Sequence, residues 1–153
     1  MKAVVQRVLD ASVTVDKVVK GSIKKGLLVY LGVAQDDSEK DADRLAEKIV
    51  HLRIFNDSNG VMNLSLKDIL PNVPEAGALS VSQFTLLADA KKGRRPSYSN
   101  AASPEKAKSL YEYFIAKIRE YNLICESGEF QAHMKVTYTN DGPVTILLDS
   151  KVT

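Results

Sequence analysis

Residues 26–55, GLLVYLGVAQDDSEKDADRLAEKIVHLRIF, change hydrophobic period part-way along, and that change decides the fold class. The opening GLLVYLG is apolar on both faces of an extended chain, the pattern of a central strand covered on two sides. After Ser38 the period lengthens: Ala42, Leu45, Ala46, Ile49 and Leu52 fall on one helical face. Ser38 and Asp41 are placed as a capping-box-like start for that helix.

Upstream, ASVTVD (11–16) sets Val13 and Val15 against Ser12, Thr14 and Asp16, a half-buried strand. With Gly21 and Gly26 as punctuation, the first 34 residues read as strands. Downstream, NDSNGVMNLS (56–65) is a turn-rich connector and GALSVSQFTLLAD (77–89) returns to strand. AKKGRRPSYSN (90–100) is a loop. A second helix follows with Ser103 at the cap and Pro104 in the first turn; its apolar stripe is Ala107, Leu110, Tyr111, Phe114, Ile118 and Tyr121. LICES, HMKVTYT and PVTILLDS close the chain as strands, with TNDGPVT (139–145) as a turn between the last two. This order predicts one mixed α/β layered domain over 1–153, with two main helices.

A chain of 153 residues buries about two-thirds of its unfolded surface around one core. Its net charge of +2 makes it no polycation, so any nucleic-acid site must come from local clustering. The single Cys125 cannot form an internal disulfide and reads as a small buried apolar residue in a reducing cytoplasm. No leader-like segment is expected, and no apolar run reaches the ~18 residues of a membrane helix, so a soluble cytoplasmic protein is expected.

The usual catalytic and metal signatures are missing. His51 falls near the end of the first helix, where an imidazole complements the dipole, and His133 alternates with Met134 as a surface strand residue. Neither a paired Cys/His spacing nor a phosphate loop is present, so no metal or cofactor is expected. The unusual segment is SVSQFTLLAD. There Ser82, Gln83 and Thr85 interrupt an apolar run, and such polar groups either cap their own strand end or line a cleft. The four cations Lys91, Lys92, Arg94 and Arg95 are either solvated or a phosphate-binding stretch.

In order along the chain, VVQRV (4–8), LRIF (52–55), MNLS (62–65), SQFTL (82–86), KKGRRPSY (91–98), GEF (128–130), AHM (132–134) and NDGPVT (140–145) resemble the D-aminoacyl-tRNA deacylases. The likeness runs from Met1 to Asp149. SQFTL followed by NDGPVT is its specific pair. Tyr98 departs from a common Phe, and Gln131 stands where a small residue is usual.

The resemblance implies barrel-like β layers and a homodimer without metal or cofactor. It implies hydrolysis of the ester joining a D-amino acid to the 3′-terminal adenosine of tRNA. Ser82, Gln83, Phe84 and Thr85 would form the pocket floor, and a cis Gly142-Pro143 would reach into the partner's pocket. Met134 would help to orient that peptide, and Phe130 would pack near the terminal adenine. Such a wall rejects L-amino acids by exclusion, so glycyl-tRNA should also be cleaved. Backbone N–H groups along Gln83–Thr85 would hold the oxyanion, worth about 3–4 kcal/mol per donor, with help from the tRNA 2′-hydroxyl. Thr85 would order substrate or water rather than attack. Two alternatives stand beside this: a non-catalytic RNA-binding module using Lys91–Arg95, and a small-molecule esterase with Thr85 or Ser82 as nucleophile.

Overall fold

The chain was analysed as a computed structural model, which describes residues 1–91 and 93–152. In chain order the elements are β1 (Lys2–Val15), β2 (Val18–Ile23), β3 (Gly26–Gly32), α1 (Glu39–Val50), β4 (Phe55–Asn56), β5 (Met62–Leu64) and α2 (Leu66–Ile69). Then come β6 (Gly77–Ser82), a 3-10 turn (Phe84–Leu87), α3 (Pro104–Glu120), β7 (Ile124–Ser127) and β8 (Lys135–Asp149). The result is the mixed α/β class expected, with a nearly closed barrel-like sheet and two long helices.

β1 organises the sheet. One of its edges carries β8, antiparallel from Lys2↔Asp149 to Thr14↔Lys135. The other edge carries β3 along residues 2–8 and then β2 along residues 11–15. Beyond β3 the sheet turns parallel, through β6 and then β7. Its two ends, β2 and β7, curl towards each other. A Cβ on Gly21 of β2 would stand 2.6 Å from the carbonyl oxygen of Ser127 in β7, so the near-closure needs a residue without a side chain.

Two cores follow from this curl. Val8, Ala11, Val13, Ile23, Leu28, Leu79 and Val81 fill the interior of the curled sheet. Leu27, Val29 and Leu31 point the other way, into the layer beneath α1 and α3 with Leu45, Ile49, Phe114 and Ile118. That is why GLLVYLG is apolar on both faces. β1 changes face along its length: Ala3 and Val5 serve the helix layer, Ala11 and Val13 the interior. The register slip between Val8 and Asp10 makes that change possible.

Local chemistry sets the helix ends. The Ser38 backbone N–H and hydroxyl both donate to Asp41 Oδ2, at 2.9 and 3.0 Å. Asp41 Oδ1 accepts from the Ser150 hydroxyl at 2.8 Å and lies 3.0 Å from Lys151 Nζ. Burial alone would raise the Asp41 pKa, but Ser150, Lys151 and Ser38 outweigh it and hold the carboxyl well below its ordinary range. The Met1 ammonium is buried beside this cluster, bonded to Asp37 Oδ1 and to Ser150 Oγ at 2.7 Å. α1 ends at Val50, two residues before Leu52, with His51 as its C-cap and its Nδ1 2.9 Å from the Glu47 carbonyl oxygen. α3 starts at Pro104 behind the Ser103 cap, as its sequence predicts.

Four expectations change. NDSNGVMNLS holds the β4–β5 hairpin and leads into α2. The strand through SVSQFTLLAD stops at Ser82 and becomes a 3-10 turn. His133 and Met134 precede β8 instead of lying on a strand. TNDGPVT is no hairpin turn: β8 runs through it as one strand. Val8↔Asn140 is followed by Gln6↔Thr145, so the extra residues bulge outward while both halves stay paired to β1. Among the described residues no helix is long and apolar enough to cross a membrane.

Candidate active site

The parallel strands β3, β6 and β7 all end on the same side, and a cavity of about 600 Å3 opens there. Clefts at the carboxyl ends of parallel strands are common ligand sites, because the connecting loops part there. Val33 follows β3, Ser82 to Phe84 leave β6, and Phe130 to Met134 follow β7; all of them line the cavity. Ala101, Ala102, Pro104 and Ala107 close it from the start of α3.

The exit from β6 is held by backbone. Gln83 N–H donates to the Leu31 carbonyl at 2.8 Å, extending the ladder one residue past the strand. That amide is therefore not available to a bound oxyanion. The amides of Phe84 and Thr85 open the 3-10 turn, where the turn's own ladder uses no N–H. Gln83 Nε2 donates to Thr85 Oγ1 and orients the hydroxyl. Thr85 is half-buried but lies outside the cavity lining, whereas Ser82, Gln83 and Phe84 are in it.

Among the described residues that line it, only His133 is ionisable, and it is exposed. Behind the wall, Tyr111 donates to the Ser80 carbonyl at 2.7 Å and its ring lies 6.1 Å from that of Phe130. Burial pushes the Tyr111 phenol up to about 12. The Cys125 thiol, also buried, is pushed up to about 12, which leaves it inert as a nucleophile. Met134 reaches the cavity while packing on the sheet interior. Among the described residues, no group of three His, Cys, Asp or Glu side chains is placed to hold a metal ion.

Gly142 and Pro143, joined by a cis peptide, stand exposed on the β8 bulge, away from the cavity of their own chain. The bulge is pinned from below. The buried Arg7 guanidinium donates through Nε to the Asp141 carbonyl at 3.2 Å and through Nη1 to the Ile54 carbonyl at 2.6 Å. Asn140 Nδ2 donates to the carbonyls of Arg7 and Val144, both at 3.0 Å. Gly142 has φ +124°, a conformation that L residues rarely adopt.

The basic loop forms a separate projection. Asp89 and Ser97 exchange backbone hydrogen bonds of 2.8 Å at its base, and Gly93 takes a positive φ of 75°. Lys91, Arg94 and Arg95 are exposed there and do not line the cavity, while Lys92 lies outside the described residues.

Sequence reasoning placed His133 on a surface strand and gave no part to Ala101, Ala102 or Pro104. Three-dimensional packing alone brings the start of α3 over the end of β6. Gln131 takes φ +63°, a left-handed backbone that costs any residue with a Cβ and suits glycine best.

The architecture is that of known solved structures. One described as "Structural Analysis of a probable eukaryotic D-amino acid tRNA deacylase" superposes with a TM-score of 0.79 over 96% of this chain and 97% of that one, at 18% identity, a likeness of fold alone. Another, "c-Myc DNA Unwinding Element Binding Protein", has a TM-score of 0.87 and 38% identity over 97% of this chain and 98% of that one. The D-aminoacyl-tRNA deacylase of Thermosipho melanesiensis is 61% identical over 99% of this chain and 98% of its own length. The family model for D-Tyr-tRNA(Tyr) deacylase matches residues 4–149. The chain belongs to this family of hydrolases.

Proposed function

We propose that the chain hydrolyses the ester between a D-amino acid and the 3′-terminal adenosine of tRNA, acting as a single domain over 1–153. The observation that carries this is the cavity at the strand ends. It is floored by Ser82, Gln83 and Phe84, flanked by Phe130 and Met134, and among the described residues no carboxylate, lysine or thiol lines it. An aminoacyl ester is already reactive, so positioning and oxyanion stabilisation suffice where a peptide would demand a strong base.

Water adds to the ester carbonyl, and the Phe84 amide, which opens the 3-10 turn at the cavity, receives the oxyanion. Collapse of the tetrahedral intermediate breaks the bond to the ribose 3′-oxygen, which takes a proton with help from the neighbouring 2′-hydroxyl. Free D-amino acid and tRNA leave. Gln83 occupies a lone pair of the Thr85 hydroxyl, which supports an orienting role for Thr85 over nucleophilic attack.

Selectivity in this reading comes from a second copy of the chain. Gly142 and Pro143 protrude, are pinned by Arg7 and Asn140, and lie outside their own cavity, which supports insertion into a partner's. Leu9, Tyr138 and Leu147 leave apolar surface exposed on the β1–β8 ladder, consistent with a homodimer burying that face. The wall excludes L side chains and leaves glycine, including glycine mischarged on tRNA(Ala), as a substrate. Lys91, Lys92, Arg94 and Arg95 take tRNA phosphates, and Phe130 with Met134 packs around the terminal nucleoside.

The test is to follow amino-acid release from D-tyrosyl-, L-tyrosyl- and glycyl-tRNA. Loss of the D and glycyl esters with the L ester intact is expected. Equal loss of D and L would remove the wall, and binding without turnover would leave an RNA-binding module.

A further inference from the structure

Phe84 and Tyr98 meet edge to face, with ring centroids 5.0 Å apart and planes at 68°. Both are open to solvent, Phe84 by 57% and Tyr98 by 40%. An aromatic pair left this exposed gains little from folding, so its place in the structure points outward. Each ring is held by backbone: Phe84 by the 3-10 turn, and Tyr98 by the Asp89–Ser97 pair that closes the basic loop.

The pair also has a direction. Phe84 lines the cavity, so the platform begins at its rim. Tyr98 itself belongs to the 90–100 loop, which also carries exposed Lys91, Arg94 and Arg95, none of which is in an ion pair among the described residues. The pair thus joins the cavity, through Phe84, to the cation-bearing loop, through Tyr98. Aromatic faces interleaved with cations are the means by which proteins hold single-stranded nucleic acid: bases stack, and phosphates meet the positive charge.

We infer that Phe84 and Tyr98 form a stacking platform for the nucleobase preceding the terminal adenosine of the substrate's single-stranded 3′ end. The inference rests on the proposed deacylase reading and extends its site by one nucleotide. The only polar atom on the platform is the Tyr98 hydroxyl, so the base is held by its face and its identity matters little. Arg94, Arg95 and Lys91 then meet the phosphates further along the strand.

The experiment compares two D-tyrosyl esters, one on adenosine and one on the trinucleotide CCA, with wild-type protein, Tyr98→Ala and Tyr98→Phe. Wild-type kcat/KM is expected to be at least about tenfold higher on the trinucleotide ester, within the range base–aromatic stacking provides. Tyr98→Ala should remove most of that advantage, with a loss on the trinucleotide at least about fivefold greater than on adenosine. Tyr98→Phe should keep it. Equal wild-type rates on both esters, or an equal loss on both in Tyr98→Ala, would overturn the platform. A change in sedimentation mass with Tyr98→Ala would do so too, since the pair would then be covered by a second copy of the chain. Wild-type protein inactive on both esters would instead sink the deacylase reading, and the platform with it.

Discussion

Arg7 grips Asp141 twice: its Nε lies 3.2 Å from the carbonyl oxygen and 3.0 Å from Oδ2. Because Nη1 also holds the Ile54 carbonyl, one buried side chain fixes the bulge that carries Gly142 and Pro143. Arg7→Ala would leave a buried carbonyl and a carboxylate without their partner, at about 2–4 kcal/mol. The melting temperature should fall by roughly 5–15 °C. In the fraction that stays folded, the ratio of D- to L-ester hydrolysis should also fall. Arg7→Lys should not restore it, because an ammonium cannot span these acceptors as a fork does. An unchanged ratio in a folded variant would free Arg7 of any part in selectivity.

Gly142 carries its own constraint. An alanine Cβ there would sit 2.8 Å from Val144 Cγ2 and 3.0 Å from Arg7 Nη2, on a backbone of φ +124°. Gly142→Ala is expected to cost about 1–3 kcal/mol, read by thermal melting followed by circular dichroism. A variant as stable as wild type would mean that the bulge can re-form with a different backbone.

With His133 as the one ionisable side chain among the described lining residues, the chemistry should be tolerant of substitution. His133→Asn should lower kcat/KM by less than about tenfold, where loss of a general base costs about 100- to 10,000-fold. Thr85→Ala should retain measurable turnover, whereas removing a nucleophile costs about a million-fold. Single-turnover kinetics decide both. Complete loss in Thr85→Ala would restore the acyl-threonine route.

Asp41 links folding to pH. Its carboxyl is held below the usual value of 3.8 in the folded chain, so its ionised form contributes stability above that pH. The contribution is lost as pH falls below about 4, through the folded-state titration. Asp41→Asn should lose roughly 2 kcal/mol at pH 7, from the cap and the bonds to Ser150 and Lys151. It should then show a shallower fall in stability on acidification, measured by urea unfolding from pH 7 to 3. Parallel wild-type and variant curves would assign the acid sensitivity elsewhere.

What the sequence disclosed was what local physics decides. GLLVYLG had to be covered on both faces, Ser38 and Ser103 had to start helices, and Cys125 had to be buried; each is so in the structure. What stayed hidden depended on distant strands. Asn140-Asp141-Gly142-Pro143 carries every residue preference of a turn. Whether such a segment reverses the chain or bulges from it is decided by β1, which pairs with both of its flanks. Phe84-Thr85-Leu86-Leu87 reads as strand by composition, yet β6 stops at Ser82 and the chain curls into a 3-10 turn.

The site divides the same way. The family resemblance points to Ser82, Gln83, Phe84, Thr85, Phe130 and Met134, and all of these but Thr85 line the cavity, whereas His133 and Pro104 carry no signal because their neighbours are remote in sequence. Gly142 and Pro143 do not reach that cavity within one chain.

The ladder between β1 and β8 joins residues 2–14 to residues 135–149. Contacts of such sequence separation form late and slow folding. During synthesis β1 is made first, and one of its edges waits unpaired until nearly the whole chain has emerged, open meanwhile to other nascent strands. Arg7 is an early product and Asp141 a late one. The bulge is therefore among the last parts of the molecule to take shape, and a truncated or stalled chain would hold the cavity residues of β3, β6 and β7 while β1 still lacked its partner strand.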